Sequence, residues 1–380
     1  MDFALEPRDL ELKERVARFA RTVLQPIAPE ADESHEVRRD VAQALAKEGI
    51  FRYVVPLEYG GAGIRVIALC IIREELSKVC DHADLLFAMQ GLGSFPIASA
   101  GSPDLRRQYL PRAATGEVLA TFALTEPEGG SDVLDMRTVA ALENGTWTVT
   151  GSKRYVSEAA EADFFSLFVK TDPDKGSRSL TAFVLDRTMP GIRATPIRLG
   201  AVHPIGQLDF RGCRVPDGRR IGERGQGLRV ALGTLDTFRT TVAAHVAGMA
   251  QTALDLALAY ARQRHTFGKP LAEHQAIQFK LADMACDVDV ARLVTYRAAW
   301  LKDSGASSVV KESSIAKLIA TEAAQRVVDE ALQIHGARGL EQGSAIERLY
   351  RSVRAPRIYE GTSEIQRLTI ARQILRESAP

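Results

Sequence analysis

The chain has 380 residues, 49 lysines and arginines against 48 acidic residues, four cysteines and 46% hydrophobic residues. This length and apolar content imply two or three domains around a sizeable core and exclude a disordered chain. The formal charge of +1 gives no general electrostatic reason to bind nucleic acid or an anionic membrane.

Met1–Leu10 carries Asp2, Glu6 and Asp9, the wrong character for a signal peptide. No apolar run approaches the ~18 residues of a membrane span. Cys70, Cys80, Cys213 and Cys286 form no C-x-x-C pair, so neither a disulfide framework nor a zinc ribbon is indicated. A soluble cytoplasmic enzyme is the expectation.

Residues 1–119 read as helical. Leu12, Val16, Phe19, Val23 and Ile27 form one stripe, turn-forming residues interrupt at Pro56–Gly63, and helical patterning resumes over Ile67–Val79. Pro96, Pro103 and Pro111 punctuate the remainder of this region, with Pro103 near a helix start. Residues 120–226 read as strands. Asn144-Gly145 between AALE and TWTVT is a hairpin signal, and Phe164–Lys170, Leu180–Leu185 and Leu208–Phe210 are further short runs separated by prolines. An antiparallel β-barrel or sandwich is predicted. Residues 227–380 return to helical period. Val242, Val246, Met249, Ala253, Ala257 and Tyr260 form one stripe, and Ile315, Ile319, Ala323, Val327, Ala331 and Ile334 another; a four-helix bundle is predicted. The fold class is therefore α+β multidomain in helix–β–helix order.

Four segments carry chemistry. In Phe122–Asp132 (FALTEPEGGSD), Gly129-Gly130 allows close backbone approach to an anion and Thr125 and Ser131 add hydroxyls; an ordinary polar turn is the alternative. Tyr155 and Ser157, two apart on a strand, present an aromatic face and a hydroxyl on one side, enough to support a flat heterocycle or simply a half-buried strand. In Arg262–Gly268 (RQRHTFG), Arg264 and Thr266 suit a phosphate, although basic residues also complement a helix C-terminus. His274 nearby has no metal-ligand spacing and reads as structural. In Ile358–Arg367 (IYEGTSEIQR), Glu360 stands beside Gly361 and two hydroxyls; in an apolar cleft its carboxylate would serve as a base, or Glu360 and Thr362 merely begin the last helix.

In this order and spacing, TEPEGGSD, R-x-T-F-G-K-P-L with Gln275, ALQIHGARG and IYEGTSEIQR resemble the acyl-CoA dehydrogenase family of flavoproteins over essentially the whole chain. The resemblance implies FAD, a homotetramer or homodimer, a place in fatty acid metabolism and reoxidation by an electron-transferring flavoprotein. It assigns Phe122, Leu124, Thr125, Gly130 and Ser131 to the flavin, with Ser131 shared with substrate. It lays Tyr155, Val156 and Ser157 against the ring. Arg264, Thr266, Phe267 and Gln275 take the phosphate and adenosine side, and Gln333, Ile334, Gly336 and Ala337 further FAD contacts, both sets across a subunit interface. Thr362 and Glu364 contact the nucleotide. Asp236, Arg239, Tyr359 and Gly361 face the thioester, and Glu360 is the base that takes the α-proton while the β-hydride goes to flavin N5.

Branched-chain and long-chain members place their base at the position of Phe238, which cannot abstract a proton, so Glu360 stands alone in that role. Tyr155, Ser157, Glu158, Ala337, His203–Gly206 and Arg351-Ser352 depart from the commoner pattern. Other readings keep the fold and change the substrate: a carrier-protein thioester or an unusual acid, or the reverse enoyl-thioester reduction. Nitroalkane oxidation is disfavoured because those enzymes carry Asp as base, and a scaffold retaining only the fold would purify colourless.

Overall fold

A computed structural model describes residues 4–377. The chain opens with α1 (Pro7–Phe19), α2 (Ala28–Ala31), α3 (Arg39–Lys47), α4 (Val66–Ser77), α5 (Asp81–Ala100) and α6 (Pro103–Thr115). In α1, Leu12, Val16 and Phe19 are buried as their spacing predicts. The stripe then slips. Ala20–Leu24 is a π-turn in which Gln25 N–H bonds Ala20 O, five residues back, at 2.8 Å. The extra residue rotates the face, so Leu24 is buried and Val23 is 43% exposed.

Pro103 begins α6, and Ser102 caps it by accepting from Leu105 N–H. Pro96 and Pro111, expected to break helices, lie inside α5 and α6. An interior proline gives up one N–H bond; in α5, burial on nearly every side offsets that loss. Gln90 of α5 donates to the carbonyls of Ala113 and Val118 and accepts from Ala120 N–H, tying the helical region to the first strand.

The strands are β1 (Ala120–Ala123), β2 (Val139–Glu143), β3 (Thr146–Ser157), β4 (Phe164–Lys170), β5 (Leu180–Asp186), β6 (Ile192–Pro196), β7 (Ile205–Pro216) and β8 (Arg220–Ile221). They form one sheet in the order β6-β7-β3-β2-β4-β5-β8, with β1 beside β4. The sheet does not close into a barrel; it wraps sandwich-like over Trp147, Phe165, Leu167, Phe183 and Phe210. Pairing is antiparallel except for β1 on β4 and one β2–β4 pair. Asn144 (φ 50°) and Gly145 (φ 73°) make the expected β2–β3 hairpin turn.

α7 (Gly227–Gln263), a helix of 37 residues, follows. A small hairpin, β9 (His265–Thr266) and β10 (Lys269–Pro270), leads to α8 (Gln275–Asp303), α9 (Val310–His335), α10 (Ala345–Ser352) and α11 (Ser363–Glu377). The bundle core is rich in alanine, including Ala250, Ala253, Ala257, Ala320, Ala324 and Ala331, which lets the helices approach closely. By composition α7 is long and apolar enough to cross a membrane, contrary to the sequence expectation, but most of that apolar window is buried inside the protein. It crosses α4 where Gly248 leaves no room for a side chain: a Cβ would lie 2.1 Å from Ser77 Oγ.

Candidate active site

The turn between α10 and α11 is clamped from three helices. Glu360 (φ 52°) and Gly361 (φ 91°) are both left-handed, a costly conformation for glutamate that persists only under external restraint. Arg239 of α7 donates from Nε to Glu360 O at 3.3 Å. Lys317 of α9 donates to Gly361 O at 2.6 Å, and Gln366 of α11 donates to both carbonyls at 3.2 and 2.9 Å. Two groups are left over: among the described residues the Glu360 N–H has no acceptor and its buried Oε2 has no partner. Thr362 caps α11 through Ile365 N–H, so it does begin the helix, whereas Glu360 stands before it.

Burial pushes the Glu360 carboxyl above the ordinary carboxylate range, although Arg73, Arg239 and Lys317 pull it back. Lys317 is itself brought down to about 8 by desolvation, against the raising effect of Glu360. Desolvation likewise drives the Tyr359 hydroxyl well above its usual range, yet 37% of Tyr359 remains accessible. Accessible surface in a strongly desolvating setting marks the wall of a concavity. Asp236, whose carboxyl is raised by burial despite Arg239, takes Arg239 Nη1 at 2.9 Å and so fixes that guanidinium.

A second surface lies on the sheet. Lys153, fully buried on β3, donates to Leu124 O at 2.9 Å and to Glu126 Oε1 at 2.7 Å. Glu126 also accepts from Thr138 N–H at 3.0 Å, and Arg154 N–H bonds Thr125 O at 2.9 Å. The 124–132 loop is thus pinned from beneath. Thr125, Ser131 and Ser157 each present a hydroxyl without a partner among the described residues, and Gly130 is exposed. Phe122, Leu124 and Ser157 are partly buried and Val156 is buried. The alternation expected for Tyr155 and Ser157 is interrupted, because Tyr155 (φ 57°) sits in a bulge between Arg154 and Val156. Its ring is half exposed and lies under the Arg154 guanidinium, 5.3 Å away. Uncommitted hydroxyls beside an uncovered aromatic ring fit a flat, polar-edged cofactor such as a flavin.

A groove of about 590 Å³ runs beside α7 toward Asp236, with Arg178, Gln226 and Arg229 among its walls. Sequence reasoning missed these three; no local motif marks them.

Arg264, Thr266, Phe267 and Gln275 gather at the far end of the bundle. Phe267 is 98% exposed at the tip of the β9–β10 hairpin. His274 faces Thr266 O and Oγ1 at 3.3 and 3.4 Å, the structural role expected of it. Tyr260 stacks on His335 at 4.5 Å, bringing Gln333, Gly336 and Ala337 to the same end, all exposed; Ile334 is buried in the core. Sixteen residues of α9 separate Lys317 from Gln333, about 24 Å at 1.5 Å per residue. Thr362 and the exposed Glu364 lie with Glu360 instead.

The acyl-CoA dehydrogenase N-terminal, middle and C-terminal domain models match residues 6–117, 121–213 and 225–375. The chain is 36% identical over 377 residues to the probable acyl-CoA dehydrogenase FadE25 of Mycobacterium tuberculosis, covering 98% of this chain and 97% of that protein. A glutaryl-coenzyme A dehydrogenase in complex with glutaryl-CoA superposes with a TM-score of 0.95 at 33% identity, over 99% of this chain and 97% of the other. The prolyl acyl carrier protein oxidase AnaB superposes with a TM-score of 0.92 at 28% identity, over 98% and 100%. Structures similar to this one include FAD complexes.

Proposed function

This chain belongs to the acyl-CoA dehydrogenase family of FAD-dependent oxidoreductases acting on CH–CH bonds, and from that premise we propose that it converts an acyl thioester to its trans-2-enoyl form with Glu360 as the base. The observation that carries this reading is the Glu360 turn. A restrained carboxylate with raised proton affinity and an unpartnered Oε2 is suited to take the α-proton. The free Glu360 N–H donates to the thioester carbonyl, where negative charge develops. Thr125, Ser131 and Ser157 hold the flavin edge and Tyr155 flanks the ring. FAD, when bound, takes up the β-hydride. Reversal of the same steps would reduce an enoyl thioester.

The groove beside Asp236 receives the pantetheine arm, and its arginines suit the negative charge of CoA or of a carrier's phosphopantetheine. The likeness to a carrier-protein oxidase supports keeping a carrier thioester as the second reading. Phe279, Leu293 and Trp300 leave an apolar stripe exposed on α8, and the bundle-end residues lie far from Glu360. Both features support a dimer or tetramer in which Arg264, Phe267, Gln275 and Gln333–Ala337 complete a neighbour's FAD site. An electron-transferring flavoprotein then accepts the electrons. Four unpaired cysteines agree with the expected cytoplasmic setting.

The test is Glu360→Gln. The variant retains FAD, while anaerobic bleaching of the flavin by acyl thioesters falls by roughly 10²–10⁴. Bleaching at the wild-type rate overturns the assignment.

A further inference from the structure

Behind the Glu360 turn lies a buried charged cluster that none of these steps uses. Arg73 of α4 forms a two-pronged ion pair with Asp84 of α5, Nε to Oδ1 at 2.8 Å and Nη2 to Oδ2 at 2.6 Å. Their side chains are 4% and 1% exposed. Asp84 Oδ2 also lies 2.8 Å from His245 Nδ1, and His245 Nε2 lies 3.5 Å from Asp81. Arg73 Nη1 donates to Thr241 Oγ1 at 3.0 Å. Although burial opposes it, Arg73 and His245 hold the Asp84 carboxyl well below its usual range, so the guanidinium is braced in one orientation.

A guanidinium has five N–H groups in a fixed fork, and the described residues supply acceptors for three. The second hydrogen of Nη2, which points away from Asp84, and one on Nη1 remain. Arg73 and the Glu360 turn pack against the same short stretch of α7, from different sides: Arg239 holds the Glu360 carbonyl, and Thr241, two residues on, holds Arg73. Among the cations acting on Glu360, Arg73 is the strongest, and it acts on Tyr359 as well. The Tyr359 hydroxyl has no partner among the described residues. Uncommitted donors thus stand in a desolvated setting beside the one free carboxylate oxygen that the reaction needs for the α-proton, and buried donors demand acceptors.

We propose that Arg73 is a specificity-determining residue whose uncommitted N–H groups receive an acceptor oxygen of the substrate, so that the acyl group carries a hydroxyl or carboxylate beyond its β-carbon. A plain alkyl chain would leave these donors unsatisfied, and an ammonium would be repelled. The inference rests on the dehydrogenase reading above and refines its substrate.

The experiment uses the FAD-loaded enzyme and four CoA thioesters of equal chain length, ending in methyl, hydroxyl, carboxylate or ammonium. Anaerobic flavin bleaching gives the rate for each. At least one oxygen-bearing thioester should exceed the methyl thioester by tenfold or more, and the hydroxyl and carboxylate arms show which oxygen is read. In Arg73→Gln/Asp84→Asn, which removes both charges together, that ratio should fall toward one. A wild-type ratio near one, a preference for methyl or ammonium, or a ratio that survives in the double variant overturns the proposal.

Matched thioesters with sulfur in place of the β-carbon cannot be dehydrogenated, and their perturbation of the flavin spectrum reads the same preference as binding. This arm separates the two claims: failure of every thioester to bleach the flavin defeats the reading as a CoA-thioester dehydrogenase, whereas bleaching or binding without selectivity defeats only this one. If the double variant fails to fold, the wild-type ratios decide.

Discussion

Arg239 and Glu360 meet through the main chain and not by a direct ion pair: the guanidinium Nε lies 3.3 Å from the Glu360 carbonyl oxygen, while its other arm is held by Asp236 at 2.9 Å. A direct ion pair would have occupied the carboxylate and lowered its basicity. This arrangement aims the carboxylate and leaves Oε2 free.

Arg239→Gln should therefore slow flavin reduction by roughly ten- to hundredfold, because misplacing a reacting group costs rate more than binding. FAD content should be unchanged. Stopped-flow reduction compared with the FAD-to-protein ratio checks this, and an unaltered rate would show that the clamp does not position the base.

The raised Glu360 carboxyl sets a pH dependence. The base works ionised, so flavin reduction should decline as pH falls through a value above the ordinary carboxylate range. Lys317→Met removes a cation that favours the ionised form and should move this limb to higher pH. The folded state binds the Glu360 proton more tightly than the unfolded chain, so its stabilising contribution is present in acid and is lost as pH rises through the folded value. Glu360→Gln should accordingly raise Tm at neutral pH, with the gain shrinking in acid. A Tm difference that is flat with pH contradicts the linkage.

Lys153→Met leaves Glu126 as an uncompensated buried carboxylate under the 124–132 loop. Breaking one side of a buried pair costs about 3–5 kcal/mol, and the loop it pins should release flavin. Calorimetry and the FAD-to-protein ratio should both fall, and Lys153→Met/Glu126→Gln should recover part of the stability. Full FAD retention in the single variant would remove the loop from the cofactor site.

Gly361→Ala places a Cβ 2.6 Å from Gln366 Nε2 at a φ of 91°. Left-handed strain of this kind costs about 1–3 kcal/mol, and relieving it disturbs the carbonyl clamp on Glu360. Denaturant midpoint and flavin reduction should drop together. A variant less stable yet equally fast would uncouple the turn from the base.

Signals carried by near neighbours were legible in the sequence. Asn144-Gly145 specifies its hairpin, Ser102-Pro103 the start of α6, and the alternation of helical and strand periods the three regions in order. Glu360 was legible as a candidate because Gly361 and the hydroxyls of Thr362 and Ser363 accompany it. The slip at Ala20–Leu24 was hidden, since one extra residue in a turn leaves no mark on composition. So were Pro96 inside α5, where tertiary burial overrides a local breaker, and the bulge at Tyr155, which depends on the register of β7 against β3.

By itself the sequence determined the domain order, the flavin-type loop and the candidate base, because each is written in short-range pattern or within a dozen consecutive residues. Only the tertiary structure decided how that carboxylate is tuned and what surrounds it. Lys317 reaches Gly361 across 44 positions, and Arg73 reaches Thr241 across 168. A charge acts through space, and its partners in a desolvated site are chosen by how helices cross, which no local pattern records.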